Sequence, residues 1–425
     1  MFVAEPARRF AIEIVEQLRE AGFEALWAGG CVRDLLMGNE PADYDVATSA
    51  TPQQVRQLFG FRRTLPVGVS FGVVIVLGPT KSAGQIEVAT FRTDSSYSDG
   101  RRPDAVTFST PEEDASRRDF TINGMFYDPL AEHVIDYVGG QEDLQRQLIR
   151  AIGDPHARLT EDKLRMLRAI RFAARFGFEI EAATLTAIHA HAREVAVVSA
   201  ERIADEVRKT LQTRKSSWAL QTWHDTGVLR VIAPALEQAW AQIDERARRL
   251  IDAIPVEDWL AKAAAMHWPL VEDTQSSPDA IAQLINAWKQ KLRLANEEAD
   301  ALTFALQAQE SLTRADELPW SQLQPWLTKS HTPTAAAILS ARNVVDRSLQ
   351  QAVDWVESRL RLPAEQLDPA PLINGQDLQQ QGLRPSPEFR TILQQARNKQ
   401  LDGELQDRNA ALNWLETLAD DRGVH

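Results

Sequence analysis

Strand signals stop near residue 140 of this 425-residue chain, and that break limits what it can fold into. Before the break, β-branched runs at 69–77 and 85–91 alternate with amphipathic helical stretches and glycine turns. Beyond it, apolar residues recur at helical spacing to the end. Such a pattern predicts an α+β architecture: a small mixed unit, then helical ones. The length suits roughly two to four domains.

The mixed unit is organised around Gly29-Gly30-Cys31-Val32-Arg33-Asp34 and, nine residues on, Asp43-Tyr44-Asp45. Paired glycines let backbone N–H groups approach phosphate, and the short helix expected at 32–37 would turn its positive end toward the same place. Read as strand, 44–47 puts Asp43 and Asp45 on one face. Two neighbouring carboxylates raise each other's pKa or hold a cation. Cradle plus pair is what Mg²⁺-dependent phosphoryl or nucleotidyl transfer needs. Alone, the stretch fits a glycine turn and a solvated acidic loop equally well.

The net charge of −13 argues against a general polyanion binder. It leaves room for a local basic groove, and many arginines cluster between Arg92 and Arg175. One cysteine excludes a disulfide framework, and no Cys/His cluster suggests zinc. No apolar run approaches a membrane span and the N-terminal segment is charged, so a cytoplasmic protein without a membrane partner is expected. Nothing here fixes an oligomeric state.

In order, residues 7–21 read as a helix ending at Gly22, 23–28 as a strand, and Thr51-Pro52 as a helix start. Glu87 is the one acid on the apolar strand 85–91, either an exposed-face residue or a third carboxylate. Residues 92–102 have loop composition. Thr110-Pro111-Glu112-Glu113 reads as a capping box opening a helix that carries Arg117, Arg118, Asp119 and Asn123. A strand is expected at 133–138. Thr160-Glu161-Asp162 is read as the cap of a helix running to Phe176 and ended by Gly177. Arg165, Arg168, Arg171 and Arg175 share a side of it, and like charges so placed repel unless anions stand opposite. The competing reading is a solvated face with a Glu161–Arg165 pair. Later breaks fall near Pro234, 273–278, Pro319 and 362–371.

These motifs, taken together, are recognisable. GGCVRD (29–34), DYDVAT (43–48), EVATFRTD (87–94), DGRRPDAVTF (99–108), EEDASRRDFTINGM (112–125) and EDKLRMLRAIRFAARFGF (161–178) resemble the bacterial class II tRNA nucleotidyltransferase and poly(A) polymerase family. So do PLINGQDLQQQGLRPSPEF (371–389) and LDGEL (401–405). The resemblance implies a polymerase-beta-like nucleotidyltransferase head at 1–140, a neck with the nucleotide-selecting helix at 141–215, a helical body at 216–317 and a tRNA-binding helical tail at 318–425. It implies template-independent addition of CMP and AMP, from CTP and ATP, to the 3′ end of tRNA. Where poly(A) polymerases carry a basic segment, 65–77 reads LPVGVSFGVVIVL, which looks like the tRNA enzymes. The retained loop 92–103, with Arg101-Arg102-Pro103, resembles that of CCA- or A-adding enzymes and does not separate those two.

The resemblance assigns Asp43 and Asp45 to two Mg²⁺ ions, with Glu87 completing the carboxylate set. Gly29, Gly30 and Arg33 would cradle the triphosphate, with Asp34 holding Arg33. Arg118 would face phosphates or ribose, and Asp119 and Asn123 would hold the sugar and brace the turn. Asp162 and Arg165 match the pair that reads the base, while Arg168 and Arg171 would contact phosphate or brace the site. An Asp only accepts hydrogen bonds, so it suits the amino groups of C and A and repels the carbonyls of U and G. His224-Asp225 resembles half of a phosphohydrolase site but reads better as a helix end before Gly227. An RNA-binding protein with a decayed head is the remaining alternative, and the intact aspartate pair speaks against it.

Overall fold

The computed structural model describes residues 4–67, 71–94, 106–240, 245–272 and 277–421. The loop residues Arg101-Arg102-Pro103 lie outside the described residues. The chain divides into two compact units, Met1–Gln238 and Ala239–His425.

In the first unit, α1 (Ala4–Glu20) buries the stripe Phe10, Ala11, Ile14, Val15 and Leu18. β1 (Ala25–Ala28) enters the Gly29 turn and α2 (Gly30–Leu36) leaves it. β2 (Asp45–Thr48) begins only at the second aspartate. Asp43 therefore sits in the turn ahead of the strand, not on it as expected, because the neighbouring β1 turns away at Gly29.

α3 (Pro52–Phe59) starts at a Thr51/Gln54 capping box with Pro52 in its first turn. β3 (Thr64–Leu65), β4 (Val73–Leu77) and β5 (Gln85–Thr90) follow. β4 is shorter than the expected 69–77. The stretch read as loop opens with β6 (Arg92–Asp94), which pairs antiparallel with β7 (Val106–Phe108).

α4 (Pro111–Ser116) has the predicted Thr110/Glu113 box but stops before the residues it was expected to carry. Arg117 closes it, Phe120 is extended and bridges Ala151, and Thr121–Asn123 form a 3₁₀ turn. Asp119 Oδ1 accepts from Phe120 N at 2.8 Å and Asn123 Nδ2 at 3.1 Å, taking the place of helical bonds. β8 (Phe126–Asp128) and β9 (His133–Ile135) complete a seven-stranded sheet in the order β3-β4-β5-β2-β1-β8-β9, in which β2 and β5 alone run parallel. One sheet face packs on α1 and α3 through Val46, Val74, Val76, Ile86 and Val88. Alternation then turns Asp45 and Glu87 to the other face.

Beyond the sheet come α5 (Gly140–Gln145), β10 (Leu148–Ile149), α6 (Pro155–Glu161), α7 (Leu164–Phe176), β11 (Glu179–Ile180), α8 (Ala182–His191) and α9 (Ala200–Leu211). β10 and β11 form one short parallel pair in this otherwise helical stretch. The helix expected to start at Thr160 is two helices. Thr160 belongs to α6, where its hydroxyl donates to His156 O and Ala157 O. Asp162 is extended between them (φ −135°, ψ 104°) and its Oδ1 accepts from Leu164 N, so it opens α7. Gly177, at φ +75°, ends α7 as expected.

The second unit is helical in its described residues, from Glu245–Ala253 to Arg408–Asp421. Near its end, Ile373, Leu378, Ile392, Ala396, Leu405, Ala411 and Leu415 form a core of their own. An Asn374/Asp377 capping box opens Gly375–Gln380, and Arg408 pairs with Asp377.

Candidate active site

A cavity of about 470 Å³ opens in the first unit beside the glycine turn. Gly29, Gly30, Arg33, Asp43 and Asp45 line it from the sheet side, and Arg118, Asp119 and Asn123 from the segment after α4. Asp162, Arg165 and Arg168 line it from the start of α7. Arg117 and Phe172 join them.

Gly29 is required on two counts. Its φ is +74°, and a Cβ there would stand 2.9 Å from Arg118 Nη1. Arg33, 5 % exposed, donates from Nε and Nη2 to Asp34 Oδ1 at 2.8 and 2.7 Å and from Nη1 to Asn123 Oδ1 at 2.6 Å. Its guanidinium lies over the Phe176 ring at 4.6 Å. Burial lowers its pKa, against the opposing pull of Asp34. The cation is thus held by carboxylate, amide and ring, leaving guanidinium protons for a ligand.

Asp43 and Asp45 differ from every other carboxylate in the cavity. Among the described residues they accept no side-chain hydrogen bond and make no ion pair. Asp45 reaches solvent at the cavity mouth, yet its carboxyl is pushed up to about 6 by surrounding protein, then by Asp43 and Glu87, with Arg118 opposing. Glu87 stands directly opposite Asp45 across the β2–β5 pairing, on the same sheet face, but does not line the cavity. Among the described residues no group of three or more His, Cys, Asp or Glu side chains is arranged to hold a metal ion. Two neighbouring carboxylates without a cationic partner among the described residues make an oxygen donor set that suits a hard divalent cation.

Of the four α7 arginines only Arg175 is exposed; the Glu161–Arg165 pair of the competing reading is formed, but Arg165, Arg168 and Arg171 are not a solvated face. Arg165 Nη1 donates to Glu161 Oε2 at 2.6 Å and Arg158 O at 2.8 Å, and its Nη2 to Arg117 O at 3.1 Å. That leaves its Nε–H and one Nη2–H. Arg168 donates from Nε and Nη2 to Asp119 Oδ2 at 2.9 and 2.5 Å. Burial opposes the Arg168 charge, but Asp119 and Glu206 outweigh it and raise its pKa. Burial also opposes the charge on Asp119, yet Arg168 and Asn123 bring it down to about 2. Arg171 is turned away from the cavity. Its Nε donates to Glu206 Oε2 at 2.6 Å, with both side chains under 10 % exposed. The anions that these arginines require are protein carboxylates.

Sequence reasoning missed Asp114, Glu206, Arg202 and Phe172. Asp114 is buried and takes Arg117 on Oδ1 (Nη2 at 2.7 Å) and Arg118 on Oδ2 (Nη2 at 2.9 Å). Burial opposes its charge, but the two arginines lower its pKa. Its i+3 and i+4 spacing to them was visible in the sequence. Arg202 and Glu206 lie on α9, remote in sequence from their partners. His224 pairs with Glu237 at 3.2 Å.

The family described as "Poly A polymerase head domain" matches residues 25–150, and "Probable RNA and SrmB- binding site of polymerase A" matches 177–239. A CCA-adding enzyme of Latilactobacillus sakei is 36 % identical over 380 residues, covering 89 % of each chain. One from Limosilactobacillus reuteri is 32 % identical over 405 residues, 95 % of this chain and 94 % of its own. The crystal structure of the Bacillus stearothermophilus CCA-adding enzyme in complex with CTP superimposes with a TM-score of 0.78 at 27 % identity, covering 99 % of both chains.

Proposed function

The chain belongs to the CCA-adding enzyme family, and from that premise we propose that this tRNA nucleotidyltransferase completes or repairs the 3′ CCA end of tRNA, adding CMP and AMP from CTP and ATP without a template. One observation carries the reading: the Asp43/Asp45 carboxylates, unpaired among the described residues, and Asp162 and Arg165 line the same cavity. Chemistry and selection thereby act on one bound nucleotide.

Asp43 and Asp45 suit two Mg²⁺ ions, which when bound supply Lewis-acid chemistry, lowering the pKa of the terminal 3′-hydroxyl and neutralising the triphosphate. Glu87, beside Asp45 on the same sheet face but outside the cavity lining, would complete the carboxylate set through its neighbour Asp45. Gly29, Gly30, Arg33 and Arg118 hold the triphosphate, and Asp119 and Asn123 hold the sugar and brace Arg33 and Arg168. At the base, Asp162 accepts from the exocyclic amino group, while the free Nε–H and Nη2–H of Arg165 donate to ring acceptors. A carbonyl in place of the amino group would meet the Asp162 lone pairs, so U and G are rejected.

We divide the chain by function into head (1–140), neck (141–215), body (216–317) and tail (318–425), the tail meeting tRNA. Among the described residues no helix is long and apolar enough to cross a membrane. With its one cysteine a buried free thiol, the chain suits the reducing cytoplasm.

The test uses tRNA lacking its CCA, with CTP, ATP and Mg²⁺. Asp43→Ala and Asp45→Ala should bind this tRNA normally and transfer nothing. Activity retained in either variant would overturn the carboxylate assignment.

A further inference from the structure

Helix α9 stands behind the selecting residues and turns one charged face toward them. Arg202, in its first turn, donates from Nη2 to Asp162 Oδ2 at 2.8 Å. One turn on, Glu206 accepts from Arg171 Nε at 2.6 Å and stands 4.0 Å from Arg168 Nη1. Residues four apart share a helix face, so an arginine and a glutamate meet an aspartate and two arginines in complementary order.

Asp162 needs such support. It lies in the extended break between α6 and α7, where no helical geometry fixes its side chain. One oxygen is held by Leu164 N at 3.1 Å. The other is held by Arg202, the one side chain that hydrogen-bonds Asp162 among the described residues. Arg202 Nη1 is buried with no hydrogen-bond partner among the described residues. Burying a donor unmet is costly, so packing alone does not explain an arginine at this place.

We propose that Arg202 is a positioning residue for nucleotide selection: it fixes the Asp162 carboxylate so that its remaining lone pairs face the incoming base. The inference rests on the reading of Asp162 as base-reading. Rejection of U and G depends on an acceptor held where their carbonyls fall. A carboxylate free to swing would still carry its charge but would no longer impose that clash.

The test measures single-turnover kcat/KM for CTP, ATP and UTP on tRNA lacking its CCA, with tRNA affinity and Tm measured alongside. Arg202→Ala should lower the CTP:UTP and ATP:UTP ratios by roughly ten-fold and leave tRNA affinity unchanged. Arg202→Lys should restore part of the ratio. Should the alanine variant fold poorly, Arg202→Lys against Arg202→Gln carries the test, with lysine the more selective. Equal slowing of all three nucleotides overturns the proposal, as does an unchanged ratio. Asp162→Ala run in parallel separates the levels. If it leaves the ratios intact, the base-reading role fails and Arg202's with it. If it collapses them while Arg202→Ala does not, the positioning role alone fails.

Discussion

Asp119 and Arg168, 49 residues apart, form a two-pronged ion pair, Nε and Nη2 of the arginine reaching one carboxylate oxygen at 2.9 and 2.5 Å. The other Asp119 oxygen holds Asn123, whose own oxygen holds Arg33. One aspartate thus ties Arg33 at the glycine turn to the second turn of α7. Asp119→Ala leaves Arg168 without its nearest carboxylate and should cost about 3–5 kcal/mol of stability. It should lower kcat as well, because cradle and helix lose their common anchor. Chemical denaturation and single-turnover kinetics check both; unchanged stability would show the pair to be idle.

The same residue predicts a pH dependence. The Asp119 pKa is held at about 2, below its ordinary value near 3.8. Its stabilisation is therefore complete above about pH 4 and is lost as pH falls toward 2. It amounts to about 2 kcal/mol. Asp119→Asn should lose this dependence, read as a flatter stability profile between pH 4 and 2.

Asp45 has the opposite sign. Its carboxyl is raised to about 6, so without a cation the charged form weighs against the fold, and stability falls as pH rises from about 4 to 6. Asp45→Asn should abolish transfer yet be at least as stable as the wild type at neutral pH. Solvent at the cavity mouth limits the gain to about 1 kcal/mol or less. Mg²⁺ should raise the Tm of the wild type and not of the variant. A lower Tm for Asp45→Asn without Mg²⁺ would contradict this.

In the second unit, His267 is buried, donates from Nδ1 to Ala263 O at 2.7 Å and meets the Trp288 ring edge-on at 4.7 Å. Burial lowers its pKa to about 4. The unfolded chain takes up a proton that the folded one refuses, so stability is full above about pH 6.5 and falls by about 3 kcal/mol toward pH 4. His267→Gln should flatten that slope, as read by urea denaturation across the range.

Gly29→Ala tests the cradle. The alanine must adopt φ +74° and displace Arg118 Nη1. About 1–2 kcal/mol of backbone strain is expected, with a raised KM for CTP and ATP from the shifted arginine. An unchanged KM would remove Arg118 from nucleotide binding.

Local signals were legible in the sequence. Thr51-Pro52 with Gln54, Thr110 with Glu113, and Gly177 each fix a helix end through contacts within a few residues, and each lies where its spacing put it. What stayed hidden depends on distant partners. β6 is a strand only because β7 returns to pair with it. The helix expected through Arg117–Asn123 ends early because Asp119 bonds its own neighbours and Arg168. Between contacting phosphate and bracing the site, the two readings of Arg171, the sequence did not choose, because Glu206, 35 residues on, gave no sign of being its partner. The types and spacing of the candidate residues that line the cavity were readable; the layer that orients them comes from tertiary packing.

The most direct measurement sequences the products formed from tRNA ending before, within and after CC, incubated with CTP, ATP and Mg²⁺. Each substrate should be extended to CCA and no further, with UTP and GTP excluded. ATP-only addition, long adenylate tails or no incorporation would contradict the account.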